Sequence, residues 1–89
     1  MTRMNDYAKT DTLDSISAEV CRAREKFPGN RLLLAALTEE VGELAKAMLQ
    51  DRPNDEIRCE AVQVCAVAIR IIEEGDSSFA NLTEAETKA

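Results

Sequence analysis

Apolar residues recur along this chain at steps of three and four, and glycine- or proline-marked breaks cut that pattern into three helical segments. Pro28-Gly29 closes the first, Pro53 ends the second and Gly75 ends the third. In the first, expected over about residues 12–27, Leu13, Ile16, Val20, Ala23 and Phe27 form a seam, with Glu19, Arg22, Arg24, Glu25 and Lys26 on the other faces. The second, expected over about 31–50, follows Asn30, a residue suited to capping a helix N-terminus. It spaces Leu34, Leu37, Val41, Leu44 and Met48 in the same way. The third, expected over about 54–74, carries Ile57, Ala61, Val64, Cys65, Ala68, Ile71 and Ile72. No window alternates with period two for long enough to make a strand. The fold class expected is all-α, an antiparallel bundle of three main helices in one domain spanning residues 1–89, with polar termini over 1–11 and 77–89. The tail after Gly75 is expected to hold at most a short helical turn or to fray.

The apolar stripes are wider than a three-helix hairpin needs. At about 100° per residue, Leu33, Ala36 and Ala47 widen the stripe of the second helix by roughly another 80°. Only three aromatics are present, Tyr7, Phe27 and Phe79, so the core must be aliphatic helix packing. A chain of 89 residues hides only about 60% of the surface its unfolded form exposes, and is marginal without a metal, a disulfide or a partner. Both arguments lead to a bundle completed by a second copy, as a homodimer or homotetramer.

Charge and cysteine content narrow the chemistry. Seventeen Asp and Glu against eleven Lys and Arg give a net charge of −6, which argues against nucleic acid as a partner. The longest apolar runs, Leu32 to Leu37 and Val64 to Ile69, are far short of the roughly 20 residues that cross a bilayer. The opening MTRMNDYAKTDTLD has no apolar signal-peptide core, so a cytoplasmic location is expected. Cys21, Cys59 and Cys65 show no CxxC spacing, and with no histidine in the chain they make no familiar zinc site. They are expected to be reduced, small core residues.

The second helix carries Thr38-Glu39-Glu40-Val41-Gly42-Glu43, an EExxE pattern that gathers three carboxylates within roughly 100° of arc. Like charges at that spacing repel, and Lys46 alone does not neutralise three of them. Glu40 falls in angle between Leu33 on one side and Ala36 and Ala47 on the other, at the edge of the apolar stripe, where a carboxylate needs a partner. On the third helix Glu60 and, three residues on, Gln63 sit on the shoulder of the apolar face, with Glu56 one turn earlier. Antiparallel packing would turn both acidic shoulders toward one cleft. Oxygen donors of this kind suit Mg2+, with Mn2+ as the substitute. Gly42 in mid-helix is tolerable where its missing side chain admits a close helix or a ligand.

The stretches LTEEVGELAKAMLQ and EAVQVCAVAIRIIEEGD, covering about residues 12 to 76 with their surroundings, resemble the MazG-like branch of the all-α nucleoside triphosphate pyrophosphohydrolases. The family signature is EExxE, a spacer, then ExxD on the next long helix. Glu39, Glu40 and Glu43 match the first motif and Glu60 the start of the second; Gln63 stands where the family has Asp. The resemblance implies an oligomeric helical bundle in which Glu39, Glu40, Glu43, Glu60 and Gln63 hold Mg2+ against a nucleoside triphosphate. It implies cleavage of the α–β phosphoanhydride to a nucleoside monophosphate and pyrophosphate. Glu39 or Glu40 would serve as the general base, and the pattern leaves open which. Lys46, Arg58 and Arg70 are the candidate phosphate contacts, against a plain surface role for each. The competing expectation is a non-catalytic helical oligomer with a degraded site, binding nucleotide without cleaving it or binding another protein.

Overall fold

The segments between the Pro28-Gly29, Pro53 and Gly75 breaks become helices. The computed structural model describes residues 2–79, with side chains for 11–78, and among them there is helix and no strand. Helix α1 spans Thr2–Lys26, α2 Leu33–Leu49 and α3 Asn54–Glu74, and one 3-10 turn, Ser77–Phe79, follows. Helix α1 begins well upstream of Leu13, where its apolar seam starts, because MTRMNDYAKTDTLD contains neither Gly nor Pro to stop it. The expected tail beyond residue 79 lies outside the described residues.

Helix α3 packs against both α2 and α1 and is the middle helix of the three. Helix α2 ends in a Schellman arrangement. The amide of Arg52 donates to the Ala47 carbonyl and that of Asp51 to the Met48 carbonyl, with Asp51 in the left-handed region at φ 57°. Pro53 then prevents continuation, and α3 turns back along α2.

The apolar core is thin. Among the described residues only Val20 of α1, Leu33 and Ala47 of α2 and Ala66 of α3 are buried apolar side chains. Helix α2 presents Leu33, Ala36, Leu37, Glu40, Leu44 and Ala47 as its covered or half-covered side. This corrects the expected seam: Leu34, Val41 and Met48 are exposed, and Glu40 stands in the middle of the covered face. On α1 the seam is covered at Val20 and open at both ends, Leu13 and Phe27; on α3, Ile72 is exposed. The three cysteines are free thiols but exposed, not core. Cys21 lies about 100° around α1 from the buried Val20, and Cys65 a like angle from the buried Ala66, so neither points inward.

Polar contacts lock the far end of α3 to the start of α2. Arg70 is 2% exposed. Its guanidinium donates to the Gly29 carbonyl at 2.6 Å, to the Ala23 carbonyl at 3.3 Å and to the Glu74 carboxylate at 2.9 and 3.0 Å. Arg24 adds ion pairs to Glu74 and Glu73. Asn30 is not the cap of α2: its side-chain amide donates to the Glu74 carbonyl. The residue at the cap position is Leu32, at φ 61°, and it has no side-chain oxygen to offer. The missing acceptors come from the segment after α3. The amide of Leu34 donates to Asp76 Oδ2 and that of Leu32 to Ser78 Oγ, each at 2.8 Å. The exposed amides at the start of a helix are the reason such acceptors matter.

Candidate functional site

Positioned by this clamp, α2 carries its acidic strip along the groove against α3. Glu40 and Glu60 are half-buried, Glu39 and Glu43 exposed, and Gln63 half-buried. Two depressions divide these residues. The larger, about 880 Å³, is bordered by Glu39, Glu40 and Gln63. The smaller, about 280 Å³, is bordered by Glu43, Lys46 and Glu60. The larger volume lies within the roughly 300–1,000 Å³ usual for small-molecule sites.

Glu40 stands on the wall of the larger one. One of its carboxylate oxygens, Oε2, is shielded from solvent and accepts no hydrogen bond. Burial, and after it the charges of Glu60, Glu39, Glu43 and Glu19, hold its pKa above the ordinary glutamate value. No ion pair among the described residues involves Glu39, Glu40, Glu43, Glu60 or Lys46. A buried carboxylate oxygen without a donor is costly, and this one is surrounded by further negative charge.

The sequence-selected cations are placed differently from one another. Lys46 borders the smaller depression beside Glu43. Arg58 points to α1, where it contacts Asp11 at 3.1 Å and Ser15 at 3.5 Å, and borders neither depression. Arg70 borders the larger one, but its donors are committed to Gly29, Ala23 and Glu74. Glu56 is held by Arg52 at 2.6 and 2.9 Å, which lowers its pKa. The structure adds cations that motif reasoning passed over: Arg22, Lys26 and Arg31 border the larger depression that also holds Glu39 and Glu40. Arg22 and Lys26 lie four apart on one side of α1, and Arg22 is paired with Glu19 at 2.7 Å.

Among the described residues no three Asp, Glu or Cys side chains already stand in ligating geometry. The donor types suit a hard divalent ion, four carboxylates and one amide oxygen divided between the two depressions, and one of them, Glu40 Oε2, is shielded and unpartnered. No family model matches the chain, and no curated protein or solved structure shows significant similarity to it.

Proposed function

We propose that this chain is a metal-dependent nucleoside triphosphate pyrophosphohydrolase, converting a ribo- or deoxyribonucleoside triphosphate to the monophosphate and pyrophosphate. The observation that carries the reading is Glu40, with a shielded oxygen that no donor meets, a pKa raised by burial and by Glu60, Glu39 and Glu43, and a place on the wall of an 880 Å³ depression. The likeness of its EExxE and following Glu60 to MazG-like enzymes supports the same reading.

Glu39, Glu40, Glu43, Glu60 and Gln63 would hold Mg2+, or Mn2+ in its place. The ion when bound supplies charge neutralisation at the phosphates and lowers the pKa of water. The protein's own part is to orient the triphosphate and to take a proton from the attacking water at a carboxylate of Glu39 or Glu40. Lys46, beside Glu43, is available to the phosphate chain; Arg58 would have to leave Asp11 to reach it. The active form in this reading is a homodimer or homotetramer, because the core of one chain is thin.

Incubation with a panel of NTPs and dNTPs plus Mg2+ or Mn2+ tests the proposal. Pyrophosphate release by the wild type and its loss in Glu40→Gln is the expected result. Absence of release with every nucleotide contradicts it. Gln63, a neutral residue in the larger depression, favours one second reading, a nucleotide-binding or protein-interaction module without turnover. Nucleotide binding without hydrolysis is its signature.

A further inference from the structure

Helix α2 has three sides. Its core side packs on α3, and its acidic side carries Glu39, Glu43 and Lys46 next to it. The remaining arc, roughly 140° wide at about 100° per residue, holds no charge at all. Its large members are Leu34, Val41, Met48 and Leu49, exposed by 48%, 47%, 60% and 87%. Between them lie Ala35, Thr38, Gly42 and Ala45, all exposed. A Cβ built on Gly42 would meet no atom within 4 Å. Nothing inside the chain therefore requires glycine there, although glycine in mid-helix costs about 1 kcal/mol relative to alanine.

We infer that this uncharged side of α2 is the contact through which two copies of the chain associate, antiparallel about a two-fold axis beside Val41 and Gly42. The inference does not depend on the hydrolytic reading. The face is self-complementary in the way a two-fold demands. Helix α2 runs Leu33–Leu49, so an antiparallel copy centred between Val41 and Gly42 sets Leu34 opposite Leu49 and Thr38 opposite Ala45. Each Val41 then enters the open space over the other copy's Gly42. Leu34, Met48 and Leu49 lie toward the ends, with Thr38, Gly42 and Ala45 between them leaving room at the centre for Val41. Charge selects the occupant as well. A chain of net charge −6 repels its own copy over most of its surface, and this arc is a side from which charge is missing. The exposed side chains offer roughly 600 Å² per copy, so a pair buries at most about 1,200 Å², the lower bound of standard interfaces.

Sedimentation equilibrium on the full chain tests the inference. The wild type is expected at twice the chain mass. Gly42→Leu fills space that is open within one chain, and Val41→Asp charges the centre of the arc. Both are expected to halve the mass with unchanged far-UV helicity. A wild type that sediments as a single chain overturns the inference, and so do variants that stay paired. Should the variants lose helicity, cross-linking decides in a chain with Cys21, Cys59 and Cys65 replaced by Ser. Gly42→Cys is expected to link two copies under mild oxidant and Leu49→Cys is not, whereas linking at Leu49→Cys alone, or at neither, overturns the antiparallel seam.

Discussion

The two ends of the α2–α3 groove treat buried charge in opposite ways. Around Arg70 every charge has a partner: Glu74 receives Arg70 and Arg24, and the spare donors of Arg70 reach Gly29 and Ala23. The pKa of Glu74 is accordingly lowered to about 2 by those hydrogen bonds. Near Glu40 the one engaged cation, Arg22, is held by Glu19, no donor reaches Glu40 Oε2, and the pKa of Glu40 moves the other way. The chain does not lack arginines to spend on carboxylates, since Arg52 and Arg58 also pair with Glu56 and Asp11. What the contrast teaches is that the paired end is architecture, while the acidic strip of α2 keeps its charge without an ion-pair partner among the described residues.

Breaking the paired end should have the largest effect. Arg70→Met strands two buried carbonyls and leaves the Glu74 carboxylate to Arg24 alone; breaking a buried pair costs about 3–5 kcal/mol, and the retained Arg24 puts the expected loss toward the lower figure. Urea denaturation should show a loss of that order. Arg70→Lys should fail to restore it, because an ammonium lacks the planar fork that serves three acceptors.

Acid should then separate the two ends. Glu74 has a depressed folded pKa, so the stability it contributes is present above the ordinary glutamate pKa and is lost as pH falls through that value toward about 2. Glu40, with a raised folded pKa, works in reverse: its charged form opposes folding at neutral pH, and the opposition fades on acidification. Thermal unfolding followed from pH 7 downward should therefore show Glu74→Gln converging with wild type at low pH.

A smaller loss is expected from Asp76→Ala, which removes the acceptor for the Leu34 amide. That hydrogen bond, with those from Ser78, holds the Asp76 pKa below its ordinary value. The melting temperature should fall, and Asp76→Asn should recover part of it by keeping a side-chain oxygen. The smallest effect sharpens the comparison by its sign. Glu40→Gln should raise the melting temperature of metal-free protein near neutral pH, with the gain vanishing in acid, whereas a destabilised Glu40→Gln would mean that the carboxylate already has a partner.

Three helices are legible in the chain because Pro28-Gly29, Pro53 and Gly75 interrupt a clear apolar period. Which side of α2 turns inward is not legible, since the helix is apolar over more than half its circumference and period alone does not choose. The chain buries Leu33 and Ala47 and leaves Leu34, Val41 and Met48 outside, which brings Glu40 onto the covered face. The acidic strip was readable from EExxE spacing, but the division into two depressions depends on how α1 and α3 flank it. Nor was the clamp readable: Asp76 caps α2 at Leu34, 42 positions earlier, and local capping rules reach only a few residues. Arg70 in an apolar run looks like a surface residue until the α1–α2 connection folds over it.

Titration of the metal-free protein with Mn2+, followed by loss of the free-ion EPR signal, tests the central claim most directly. Saturable binding by the wild type, competed by Mg2+ and at least tenfold weaker in Glu40→Gln, is expected. Equal uptake by both proteins, or none by either, would contradict the assignment of Glu40 and its neighbours as the cation site.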